Sequence, residues 1–221
     1  DGSADGIRTI HHAPPVLSPE AEGALHFDSY RRGSFVDHFC PPDIDLEQLK
    51  RCSYHEYGDF ARSPFWIEEE GENWVVLKRE GDVDGSPVRL EKNYRLEIDA
   101  LDVSITIDHA TRPGVWYLCE LNLHFANPGD VLVRADGEML REREGVLHGL
   151  STLSLADPYT NETMQIALNR ETTAFIHPVM SVSQSEQGIE LTQQGIMIAF
   201  AFLYEPGMQI DVAIRWNKGA Q

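Results

Sequence analysis

The stretch Val179 to Gln194 reads VMSVSQSEQGIELTQQ, and its pattern predicts a β-hairpin. Two strand-like runs meet through Ser185-Glu186-Gln187-Gly188, where a glycine supplies the backbone freedom that closes a tight turn. Beyond the turn, Ile189 and Leu191 alternate with Glu190 and Thr192, so one face is apolar and the other polar. Gly195 interrupts the pattern. Ile196 to Phe202 then reads IMIAFAF, the composition of a strand covered on both sides.

The same period of two extends outward. Towards the C-terminus, Glu205-Pro206-Gly207 reverses the chain into Met208 to Trp216, where Met208, Ile210, Val212, Ile214 and Trp216 share a face. Towards the N-terminus, short strands fit Thr172 to His177, Met164 to Leu168 and Leu150 to Leu155, with Asp157-Pro158 dividing the last two. Residues 127–145 are loop-rich, with Asp136-Gly137 a turn signal. Val115 to Ala126 alternates, and Thr111 to Gly114 turns it back from Leu101 to Asp108. Val88 to Asp99 and the run from Trp66 through Leu77 complete the set, around a turn cluster at Gly81 to Pro87.

One short helix is expected after Pro41-Pro42, with Asp45 as its N-cap and Leu46, Leu49 and Cys52 as a narrow buried stripe. About ten to twelve strands at short spacing predict an all-β fold, a large antiparallel β-sandwich of two sheets face to face. Residues 1–24, with Pro14-Pro15 and no sustained period, are expected as a lead-in arm, and 25–221 as a single domain.

Of 221 residues, 42% are hydrophobic and 24% charged, the balance of a folded globular chain. Acidic residues number 36 against 18 basic ones, a net charge of -18, which repels phosphate backbones and anionic lipid; neither nucleic acid nor membrane is an expected partner. Cys40, Cys52 and Cys119 form no C-x-x-C pair and read as free thiols of a reducing, cytoplasmic compartment. No cofactor is implied, and the His11-His12 pair has no third donor that would make a metal site.

The face of the 115–126 strand that holds Trp116, Leu118, Glu120, Asn122 and His124 mixes an indole with a carboxylate, an amide and an imidazole, groups that suit sugar hydroxyls. Glu190, and Glu186 beside it, either line a groove or bond loop amides. The Asp37-His38 pair has the chemistry of an acid/base dyad but is expected to fix the N-terminal segment through hydrogen bonds. No G-x-S-x-G, H-E-x-x-H or phosphate-cradling glycine loop occurs.

Four motifs carry a family resemblance. Ser183 to Glu190 has the form S-x-S-E-x-G-x-E, with Gln194-Gly195 after it; Arg32 to Phe39 has the form R-x-S-x-x-D-H-F. Glu56 to Phe60 has the form E-x-G-D-F, and Glu120 to Leu123 the form E-x-N-x. In their order along the chain, with the Ser183 motif last, and from about Leu25 to Trp216, they resemble the C-terminal β-sandwich of α-amylases and 4-α-glucanotransferases of glycoside hydrolase family 57.

The resemblance implies a galactose-mutarotase-like sandwich, structural roles for Asp37, His38, Glu56 and Asp59, and a catalytic barrel outside this chain. It further implies that Asp1 is a cut within a longer protein. The leading expectation is a non-catalytic accessory domain that supports the barrel and contacts an α-glucan or oligosaccharide. Glycoside cleavage needs two carboxyl groups at a set separation, and no local sequence marks such a pair. A stand-alone mutarotase or epimerase would instead need an acid/base pair, His124 with Glu120 or His177 with Glu190. A docking module without ligand is the third reading.

Overall fold

The computed structural model describes residues 17–108, 114–185 and 188–219. The expected His11-His12 pair, the greater part of the arm, the 111–113 turn and the tip at Glu186-Gln187 lie outside the described residues. Among the described residues there are twelve strands, and every ladder between them is antiparallel. In chain order they are β1 (Ser34–Cys40), β2 (Trp66–Glu70), β3 (Trp74–Val83), β4 (Ser86–Leu96), β5 (Ala100–Asp108) and β6 (Trp116–Leu123). There follow β7 (Leu132–Ala135), β8 (Glu138–Met139), β9 (Gly145–Asp157), β10 (Glu162–Ser185), β11 (Gly188–Leu203) and β12 (Met208–Lys218).

The strand order is β1-β6-β11-β10-β12-β5-β4-β3-β2, with β9 beside β10 and β7 linking β9 to β8. The two face-to-face layers expected are joined into one hydrogen-bonded path, because β9 and β10 run through both. The first part of β10, Glu162 to Leu168, pairs with β12; the later part, from Thr173, pairs with β11. Register shifts between Ala167 and Thr172 on the β9 side mark the passage. Asn169, Arg170 and Glu171, which break the apolar pattern in the sequence, fall at this crossing, so one strand reads as several.

The apolar faces of the two layers enclose a core that includes Leu90, Ile105, Tyr117, Phe200 and Ile210, each fully buried. Tight turns hold the meander together. Asp84 and Gly85 both have positive φ between Val83 and Ser86, as do Asp136 and Gly137 between Ala135 and Glu138, the two-residue hairpins that Asp-Gly favours. Strands β3 and β4 thus run through most of the expected turn cluster. Gly195 is required by contact: a Cβ there would lie 2.5 Å from the Leu123 carbonyl oxygen.

The expected short helix is α2 (Leu46–Lys50), where Asp45 accepts from the Gln48 amide and Gln48 answers with the reciprocal bond of a capping box. A second short helix, α1 (Pro19–Ala24), lies in the stretch expected as arm, capped by Ser18. Leu49 of α2 packs with Cys40, Leu118, Phe175 and Met197 in a smaller core on the outer face of the β1-β6-β11-β10 layer. Among the described residues no helix is long and apolar enough to cross a membrane.

Candidate functional site

Strand alternation decides which side chains meet on that outer face. Residues directly opposed across an antiparallel ladder point to the same side. His177 of β10, Met197 of β11 and Asn122 of β6 form one row; Phe175, Ala199 and Glu120 form the next. His38 of β1 is opposed to Leu118 and shares this face, whereas Asp37 is opposed to Cys119 and points into the main core. The adjacent Asp37 and His38 therefore serve opposite sides of one sheet.

On the outer face the motif residues converge. Glu120, fully buried, accepts from the Tyr30 hydroxyl at 2.5 Å and from Asn122 Nδ2 at 2.6 Å. His38 Nε2 lies 3.3 Å from Glu120 Oε2, and Arg32 3.8 Å from Oε1. On its other side, His38 Nδ1 contacts Glu56 Oε1 at 3.1 Å and the Tyr54 hydroxyl at 2.8 Å. Burial alone would discharge His38, but the two carboxylates outweigh it and hold its pKa up, at about 9. Burial likewise opposes the charge on Glu120, and the adjacent His38 imidazolium, with the hydrogen bonds from Tyr30 and Asn122, overrides it and brings its pKa to about 2. The arrangement is an imidazolium clamped between two carboxylates, closed to solvent, that fastens the 25–32 segment and the 54–56 loop to the sheet.

On the core face Asp37 pairs with the buried Lys92 ammonium and accepts from the Tyr117 hydroxyl at 2.7 Å; Lys92 also donates to the Phe35 carbonyl. Asp59 is exposed and holds Arg79 at 2.6 Å.

The remaining expected sugar contacts are dispersed. Trp116 is half-buried edge-on against Phe175 and lines a surface groove of about 480 Å³ with Arg170, Glu171, Thr173 and Leu203. Asn122 is half-buried and bonded to the Gly33 carbonyl as well as to Glu120. His124 Nδ1 meets the Gln194 carbonyl. Glu190 is exposed, opposite Ser183. The expectation of one open face joining Trp116, Glu120, Asn122 and His124 does not describe this surface, because the N-terminal segment covers its middle.

Neither acid/base pair assembles. His177 is opposed to Met197 and Glu190 to Ser183, six positions apart along the hairpin, or about 20 Å at the usual strand rise. Glu120 lies in β6 among Tyr30, His38 and Asn122, whereas His124 stands one residue past the end of β6 and turns to the Gln194 carbonyl.

A pocket of about 280 Å³ opens between α1, α2 and β10, lined among others by Arg32, Lys50 and His177. Arg32, Tyr30 and Tyr54, all central to this region, were not singled out from the sequence; the Arg at the head of R-x-S-x-x-D-H-F was the signal available.

Comparison with known proteins agrees with this architecture. Residues 1–214 match the family described as alpha-amylase/4-alpha-glucanotransferase, C-terminal. A 4-alpha-glucanotransferase of Thermococcus kodakarensis is 28% identical over 211 residues, covering 96% of this chain and 30% of the relative. An alpha-amylase of Pyrococcus abyssi is 25% identical over 214 residues, covering 97% and 30%. The crystal structure of the Thermococcus litoralis 4-alpha-glucanotransferase superposes with a TM-score of 0.74 at 26% identity, over 90% of this chain and 30% of that one. A candidate aldose 1-epimerase of Escherichia coli K12 shares the fold alone, with a TM-score of 0.54 at 10% identity over 86% and 81% of the two chains. The chain thus spans about 30% of the length of the curated relatives it matches. With the match extending over nearly the whole chain, this sandwich belongs to the alpha-amylase/4-alpha-glucanotransferase C-terminal family.

Proposed function

We propose that this sandwich is a non-catalytic accessory domain of an α-glucan-processing enzyme of the 4-α-glucanotransferase or α-amylase type in glycoside hydrolase family 57. It supports the catalytic barrel of that enzyme and holds glucan over Trp116. The observation that carries the reading is the fate of the motif residues. Asp37, His38 and Glu120 are fully buried in ion pairs and Glu56 closes the clamp, leaving none of them free to protonate a glycosidic oxygen.

The Trp116 groove supports the sugar-binding part. It sets a half-buried indole beside a guanidinium, a carboxylate and threonine hydroxyls, the mixture of ring face and hydrogen-bonding groups that pyranoses use. Cytoplasmic residence belongs to the same reading, supported by three free cysteines.

Isothermal titration with maltoheptaose tests it. Saturable heat that Trp116→Ala abolishes in a folded protein supports glucan binding at the groove. No heat from a folded wild-type chain removes the sugar-binding part and leaves a supporting domain.

A further inference from the structure

We propose that the pocket between α1, α2 and the middle of β10 binds a single sugar ring or similar vicinal diol, with His177 Nε2 accepting a hydroxyl proton while Arg32 donates to hydroxyl oxygen. This site shares no lining residue with the Trp116 groove and does not depend on that groove binding glucan.

Three observations meet here. First, His177 is only 3% exposed, and its Nδ1 lies 2.9 Å from the Pro178 carbonyl oxygen. A carbonyl can only accept, so Nδ1 carries the proton and Nε2 presents a lone pair. Burial, with Arg32 acting in the same direction against the Pro178 carbonyl, holds the ring below its usual pKa and so neutral. Second, Nε2 is buried and has no protein partner, an omission that costs free energy unless something fills it. Third, Arg32 lines the same pocket with Nε and Nη1 buried and without a hydrogen-bond partner, Nη1 standing 3.8 Å from Glu120 Oε1 while Nη2 is held by Asp28 at 2.7 Å.

The combination selects a ligand class. A carboxylate or phosphate would satisfy Arg32 but turn its own lone pairs towards Nε2. An ammonium would satisfy Nε2 but, having only donors, would leave the guanidinium N–H groups without an acceptor. A hydroxyl group donates to the one and accepts from the other, and a neighbouring hydroxyl extends the contact across the guanidinium. Gly23, Ala24 and Val179 supply apolar lining for C–H faces, and about 280 Å³ is at the lower end of small-molecule pockets.

The test is a titration of the 15N-labelled protein with maltose, following the ring nitrogens of His177 in long-range 1H–15N spectra. The expected result is a saturable upfield shift of Nε2, unchanged in Trp116→Ala and with binding lost in a folded His177→Phe variant. A wild-type Nε2 resonance that maltose does not move overturns the proposal and assigns the space to ordered water. Maltose binding that survives His177→Phe overturns it too, as does saturation by acetate or sulfate in place of maltose. The wild-type spectrum decides the question even if His177→Phe does not fold.

Discussion

Replacing Glu120 by Gln keeps the shape of the side chain and removes the charge on which the buried clamp depends. His38 would then be held by Glu56 alone, and Tyr30 would donate to an amide oxygen instead of a carboxylate. Removing one member of a buried ion pair costs about 3–5 kcal/mol, which lowers the melting temperature of a chain this size by roughly 6–20 °C. The pH dependence gives the sharper readout. His38 has its pKa raised in the fold, from 6.5 to about 9. Its contribution is therefore fully present below pH 6.5 and lost as pH rises through 9. Over that window wild-type stability should fall by about 1.4 kcal/mol per pH unit, about 3 kcal/mol in total. Glu120, with its pKa depressed to about 2, contributes stability that is present above pH 4.5 and lost as pH falls through 2. The two describe one contact and are not added. Urea unfolding at a series of pH values, followed by tryptophan fluorescence, should show a flatter alkaline limb for Glu120→Gln than for wild type. A loss below about 1 kcal/mol at pH 6, or parallel limbs, would refute the clamp.

Asp37→Asn leaves the buried Lys92 ammonium without its counter-charge and should cost about 3–5 kcal/mol in urea melts, with part recovered in an Asp37→Leu, Lys92→Met double variant. Gly195→Ala would drive a Cβ against the Leu123 carbonyl; a loss of about 1–3 kcal/mol is expected, and an unchanged unfolding midpoint would contradict the close approach of β11 to β6. Burial raises the thiol pKa of Cys119 to about 12 and that of Cys40 well above its usual value, while Cys52 is only half-buried. An aromatic disulfide reagent should therefore titrate a single thiol, slowly, in the native protein and all three in urea; rapid loss of two native thiols would count against this core.

Much of the sandwich was legible because period-two alternation survives wherever one face of a strand is buried. The alternation at Met208 to Trp216, at Leu101 to Asp108 and through Val115 to Ala126 corresponds to β12, β5 and β6. Strand β1 was not legible: Phe35 sits at positive φ in a bulge, and Asp37-His38 places two ionisable residues where a strand usually shows one buried apolar face. Strand β10 read as fragments because its polar middle lies where it passes between layers. The polarity of the face at Glu120 and Asn122 was visible, but its use was not. What converts an apparent sugar-binding face into a buried clamp is the 25–32 segment lying over it, and the partners Tyr30 and Glu120 are 90 residues apart. No local pattern encodes that pairing.

The central claim is that this chain spends its ionisable motif residues on architecture and leaves glycosidic chemistry to another domain. The most direct test is to incubate the purified chain with maltoheptaose and follow the oligosaccharide length distribution by chromatography over many hours. The account predicts a single unchanged maltoheptaose peak. A ladder of shorter and longer maltooligosaccharides, or release of glucose, that disappears in a folded Glu120→Gln variant would contradict it.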